Sequence, residues 1–70
     1  MNIRKTILPA AAMEKLLKKA GAERVADDAK ERLIEVLEAR AEEIGQKALR
    51  FAQHAGRKTI KASDIREAAK

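Results

Sequence analysis

The 70-residue chain contains no cysteine, no tryptophan and no tyrosine. Without thiols it can form neither a disulfide nor a thiolate metal site. Its single histidine, His54, cannot build a zinc site alone. One proline, Pro9, and three glycines leave few breaks in a helical pattern. No apolar run approaches the roughly 18 residues that would suggest a membrane span. Met1 to Leu8 carries Arg4 and Lys5, and no apolar stretch of signal-peptide length follows. Phe51 is the only aromatic residue. A core of Leu, Ile, Val and Ala with one ring is modest for a chain this short, which usually needs a staple, a metal or a partner. Yet 46% of the residues are apolar, too many for a disordered basic tail. One folded domain that completes its core by association satisfies both observations.

Acid is also missing, in one place. From Lys47 to Lys61 there are five basic residues (Lys47, Arg50, Arg57, Lys58, Lys61) and no acidic one. The first 25 residues carry Arg4, Lys5, Lys15, Lys18, Lys19 and Arg24 against Glu14 and Glu23. Between them, Asp27 to Glu43 holds seven acids and three bases. The net charge of +5 is therefore concentrated on either side of an acidic middle. A clustered positive field attracts a polyanion, whereas a diffuse one mainly keeps a protein soluble.

Three helices are legible. The first opens near Pro9, whose fixed φ suits a first turn. Met13, Leu16, Leu17 and Ala20 follow at the spacing of one apolar face, and Gly21 supplies the stop. The second runs from Asp28 to Ala55, about 42 Å at 1.5 Å per residue. Asp27 or Asp28 is suited to cap it, with Glu31 placed as in a capping box, and Gly56 ends it. Its apolar positions, among them Leu33, Ile34, Val36, Leu37, Ile44, Leu49 and Phe51, exceed a single surface stripe. Two short flanking helices cannot cover them, so a second copy of the chain is the economical cover. On its polar side Glu43–Lys47 is a favourable i, i+4 pair. After Gly56, β-branched Thr59 and Ile60 read as a short extended piece. The third helix spans about Ala62 to Ala69, with Ile65 and Ala68 as its small apolar face.

The segment Ala20-Gly21-Ala22-Glu23-Arg24-Val25-Ala26-Asp27-Asp28-Ala29 closely resembles the first-loop segment of archaeal histones. His54-Ala55-Gly56-Arg57-Lys58-Thr59-Ile60-Lys61-Ala62-Ser63-Asp64-Ile65 resembles their second-loop segment, and the spacing between the two matches. The resemblance covers about residues 8 to 69. It implies an all-α histone fold, with residues 1–7 as a basic N-terminal extension and residues 8–70 as the domain. Two chains would clasp as an antiparallel handshake homodimer, the first loop of each beside the second loop of the other.

Residue by residue, the resemblance implies that Arg24 reaches into the minor groove of double-stranded DNA, where negative potential is enhanced. Lys58 and Lys61 would contact phosphate, and Thr59 would offer its hydroxyl and N–H. Lys15 matches a basic position near a central DNA contact, and Arg4 and Lys5 of the extension would add phosphate contacts. Val25 and Ile60 would form a short β-bridge between the loops. Arg57 and Asp64 would form an intrachain salt bridge. Phe51, His54 and Asp64 would lie where two dimers meet, Phe51 standing where the family commonly has Leu.

The expected function is that of a chromatin protein that wraps and compacts duplex DNA with little sequence preference, as a homodimer and as tetramers or filaments on DNA. The expected location is cytoplasmic, on the chromosome. No cofactor, metal, membrane or small-molecule substrate is expected. With Thr6, Thr59 and Ser63 as the only hydroxyls, no nucleophile has an evident activating partner, so no enzyme is expected. The alternative is a histone-fold transcription-regulator subunit that works as a heterodimer.

Overall fold

The computed structural model describes residues 6–70. Arg4, Lys5 and most of the N-terminal extension lie outside the described residues. These comprise three helices, α1 (Ala10–Lys19), α2 (Asp27–His54) and α3 (Ala62–Ala68), and no strand among the described residues. The chain forms two compact units, one ending at Glu38 and the other spanning Ala39–Lys70. α2 supplies its first part to one and its remainder to the other.

In the first unit, Pro9 stands at the N-cap with φ −78° and ψ 140°. Its carbonyl accepts the N–H groups of Ala12 and Met13, so the helix proper begins one residue later. The exit of α1 is set by Gly21 at φ +115°, a value costly for any residue with a Cβ. The Gly21 N–H reaches the Lys18 carbonyl at 3.0 Å and the Ala22 N–H reaches that of Leu17 at 3.1 Å. These two bonds form a Schellman closure. Met13 and Ile34 are buried. Of the expected α1 face, Leu17 is half-buried, while Leu16 and Ala20 are exposed.

The start of α2 differs from the sequence reading. Ala26 occupies the capping position, and its carbonyl accepts the N–H groups of Ala29 and Lys30. Asp27 and Asp28 both fall inside the first turn, so the Asp28–Glu31 box does not arise. Their carboxylates act there on the positive end of the helix dipole instead.

In the second unit, α2 closes on Gly56 at φ +75°. The Gly56 N–H bonds the Gln53 carbonyl and the Arg57 N–H bonds that of Ala52, both at 2.9 Å. Ala48, Ala52 and Ala68 are buried. Ile65 is exposed, contrary to the apolar face expected of α3. The buried apolar set of the described residues is thus Met13, Ile34 and three alanines, while Leu16, Val36, Leu49, Phe51, Ile60 and Ile65 keep 39–51% of their surface in water. Full burial of such a large side chain is worth about 1.5–3 kcal/mol, so a single chain leaves a large apolar gain unrealised.

Candidate nucleic-acid interface

The first loop leaves α1 through Gly21 and enters α2 at Asp27. Arg24 within it is exposed and Val25 half-buried. The helices beside this loop are joined by ion pairs. Glu14 of α1 accepts from Lys18 and Lys30, each at 3.2 Å, and Lys30 also meets Asp27 at 3.1 Å. Hydrogen bonds from Lys18 and then Lys30 hold the Glu14 carboxyl below the ordinary range. Hydrogen bonds to Asp27 and then Glu14 raise the Lys30 ammonium. Lys18 and Lys30 are thereby compensated. Lys15, Lys19 and Arg24 have no ion pair among the described residues of this unit.

The second loop is shaped from inside by Arg57. Its Nη1 donates to Asp64 Oδ2 and to the Thr59 carbonyl, and its Nη2 to Asp64 Oδ1, all at 2.9 Å. Asp64 Oδ2 also accepts the Lys61 N–H at 2.8 Å. Asp64 stands at the third position of α3, so this last bond is the carboxylate half of a capping box. A lysine side chain has no acceptor with which to complete the other half. The Asp64 side chain is only 6% exposed. The Arg57 guanidinium, followed by the Lys61 N–H, depresses its carboxyl to about 2. Arg57 is raised in return by its bonds to Asp64.

This arrangement engages the Thr59 carbonyl and the Lys61 N–H, while Lys58, Thr59 and Lys61 are exposed. Lys58 and Lys61 have no ion pair among the described residues. Elsewhere in the unit, Arg40 pairs with Glu43 and Lys70 with Glu67. The expected Glu43–Lys47 pair is absent because Arg40, three residues before Glu43, takes that carboxylate. Lys47, Arg50 and Arg66 also have no ion pair among the described residues. Sequence reasoning gave Lys47 only the pair with Glu43 and gave Arg50 and Arg66 no individual role, although the acid-free run already contained Lys47 and Arg50. Phe51 and His54 are exposed near the end of α2, whereas Asp64 is buried in the clamp. Among the described residues no cluster of His, Cys, Asp and Glu suits a metal ion, and no helix is long and apolar enough to cross a membrane.

The profile of the histone-like transcription factor (CBF/NF-Y) and archaeal histone family matches residues 6–69. The chain belongs to this family. An archaeal histone of Thermococcus zilligii, one of the HAN1 subunits, is 57% identical over 63 residues, covering 90% of this chain and 94% of that one. The probable archaeal histone 3 of Methanocaldococcus jannaschii is 46% identical over 61 residues, covering 87% and 91%. The three helices are those of a histone fold, and the chain is a DNA-binding chromatin protein of the archaeal histone type. A histone fold dimerises, which accounts for large apolar side chains left open on a single chain.

Proposed function

We propose that two copies of this chain clasp antiparallel and wrap duplex DNA along a track made by their loops. Arg24 lies in the first loop and Lys58, Thr59 and Lys61 in the second, with the whole of α2 between them in sequence. Antiparallel pairing places the first loop of each copy beside the second loop of the other. Val25 and Ile60 bridge these loops across the pair, so the strand segment that a single chain lacks forms between chains. Each end of the dimer then carries a basic cluster. Lys15 on α1, with Arg4 and Lys5 before it, supplies a contact between the two clusters.

The observation that carries this reading is the sorting of cations. Those with an acidic partner are removed as a source of long-range field, whereas Lys15, Arg24, Lys58 and Lys61 stand exposed with none among the described residues. Arg24 enters the minor groove, where shape rather than base identity governs attraction. Lys58, Lys61 and the Thr59 hydroxyl bind phosphate and fix position. Binding is driven by counterion release and DNA bending, with little sequence preference. The chain works without a cofactor and catalyses no reaction; its place is the cytoplasmic nucleoid.

Beyond the dimer, Phe51, His54 and Asp64 belong to the contact at which dimers meet, the Asp64 oxygens being already engaged by Arg57 and the Lys61 N–H. Tetramers or filaments on DNA result. The acidic residues from Glu31 to Glu43, apart from Glu38 with its bonds to the Ile7 and Leu8 N–H groups, form a solvated face away from phosphate.

The test is DNA affinity as a function of salt. Each neutralised phosphate contributes about 0.9 to the slope of log K against log salt. Affinity is expected to fall steeply between about 50 and about 300 mM salt and to vary little with sequence. Equal affinity at both concentrations overturns the reading. Light scattering of the isolated chain decides the partner. A dimer supports self-pairing, and an unfolded or monomeric chain points to a heterodimeric regulator.

A further inference from the structure

The face of α2 assigned above to dimer–dimer contact carries an excess of positive charge. Lys47 and Arg50 stand four residues before Phe51 and His54 respectively, and all four side chains are exposed. Residues at this spacing are neighbours on a helix, their Cβ atoms about 5–6 Å apart. At about 100° per residue, the four share one arc of roughly 100°. The segment Ala39–Lys70 holds four acidic residues against eight basic ones. Glu43 pairs with Arg40, Asp64 with Arg57 and Glu67 with Lys70. The fourth acid, Glu42, is nine positions from Phe51 and so lies about half a turn around α2, on the opposite face. Neither Lys47 nor Arg50 has an ion pair among the described residues.

We propose that Lys47 and Arg50 form a charge gate on stacking: free dimers repel each other at this face, and bound duplex DNA lifts the repulsion with its phosphate charge. The proposal rests on the dimer–dimer contact assigned above to Phe51, His54 and Asp64. A closed contact between identical units is commonly isologous, each patch meeting its own copy. Two cations on each face then come within about one Debye length, ~10 Å at 0.1 M salt, of the two opposite. Like charges set against each other across an interface oppose its formation. The apolar ring of Phe51 favours the contact, and the cations beside it work against it. A polyanion bound along the same dimers compensates those cations, so stacking is confined to DNA.

Light scattering of the DNA-free protein reads the gate. At low salt, with a Debye length of about 10 Å or more, the unsubstituted protein should have the mass of two chains. It should move toward four chains at about 1 M salt, where the Debye length is about 3 Å. Lys47→Gln with Arg50→Gln removes both charges and keeps good helix formers. That variant should reach four chains at low salt, its dimer–tetramer dissociation constant lower by about ten- to a hundredfold. Lys47→Arg with Arg50→Lys keeps the charge and should stay at two chains. Adding Phe51→Ala to the glutamine variant should return it to two chains. On duplex DNA at low salt, nuclease digestion should give stepped protection for the unsubstituted protein and a single short footprint for Phe51→Ala.

If the steps on DNA survive Phe51→Ala, the contact reading fails and the proposal falls with it, whatever the masses. If Phe51→Ala abolishes the steps but the glutamine variant has the same mass as the unsubstituted protein at low salt, the contact stands and the gate is wrong. Association of the charge-conserving variant at low salt also overturns the gate, because something other than charge was then removed. A single footprint for the unsubstituted protein overturns the release by DNA. Circular dichroism verifies that each variant is folded. Should the glutamine variant fail that check, the mass of the unsubstituted protein against salt makes the same test. Association that rises with salt supports the gate, and association that is constant or falls overturns it.

Discussion

Arg57 and Asp64 are joined by two parallel hydrogen bonds of 2.9 Å, and the same guanidinium holds the Thr59 carbonyl. The pair is thus a brace for the loop that carries Lys58 and Lys61, and no longer a free cation and anion. Fork-to-fork geometry makes the arginine hard to replace, because lysine offers a single ammonium where two directed donors are needed. Arg57→Lys should therefore lower the melting temperature nearly as much as Arg57→Ala. Thermal unfolding followed by circular dichroism checks this.

Asp64 also makes stability depend on acidity. Its carboxyl is held at about 2 in the folded chain, against roughly 3.9 when unfolded. The folded value is the lower, so the stabilisation is fully present above about pH 4 to 5. It is lost as pH falls through about 2. Asp64→Asn should lower the melting temperature by roughly 5–10 °C at neutral pH. It should also flatten the decline between about pH 4 and about pH 2. Melting curves of both proteins across that range measure the difference.

Gly56 tests the helix exit. An added Cβ would meet nothing within 4 Å, so the cost of Gly56→Ala is that of forcing φ +75° on an L-residue. That strain is about 1–2 kcal/mol. A chain of this size should lose roughly 4–8 °C in melting temperature per 1 kcal/mol. Denaturant or thermal unfolding gives the value.

These elements differ in how far the sequence disclosed them. Both glycine exits were legible because each follows a periodic apolar segment, and only glycine takes their backbone angles without penalty. The N-terminus of α2 was misplaced by one residue. Two adjacent aspartates are equally good caps, and the backbone selected Ala26, leaving both to act on the dipole. Glu43 was assigned to Lys47 because periodicity permits it, but Arg40 is an equally close competitor. Ile65 reads as a core residue by type, yet a single chain leaves it open. Glu38 gave no local signal at all, since its partners are backbone donors some thirty residues away. The loop cations were legible as a charge pattern; which of them remain unpaired required the side-chain geometry.

Phe51 is 45% exposed on α2, where dimers are proposed to meet. Phe51→Glu should leave the dimer and its first DNA contact intact but prevent stacking. Nuclease digestion of the complexes is the measurement. The unsubstituted protein should protect fragments in regular steps, and the variant a single short footprint.

The absence of cysteine allows the antiparallel clasp to be probed with one thiol per chain. A chain carrying Val25→Cys, refolded with a chain carrying Ile60→Cys, should form an interchain disulfide under mild oxidation. Neither chain alone should do so, because disulfide geometry requires Cα atoms roughly 4.4–6.8 Å apart.

Reversing Arg24, Lys58 and Lys61 to Glu together, then measuring duplex DNA binding and dimer mass on the same sample, addresses the central claim most directly. Binding should disappear while the mass stays that of two chains. Undiminished affinity in an intact dimer would contradict it.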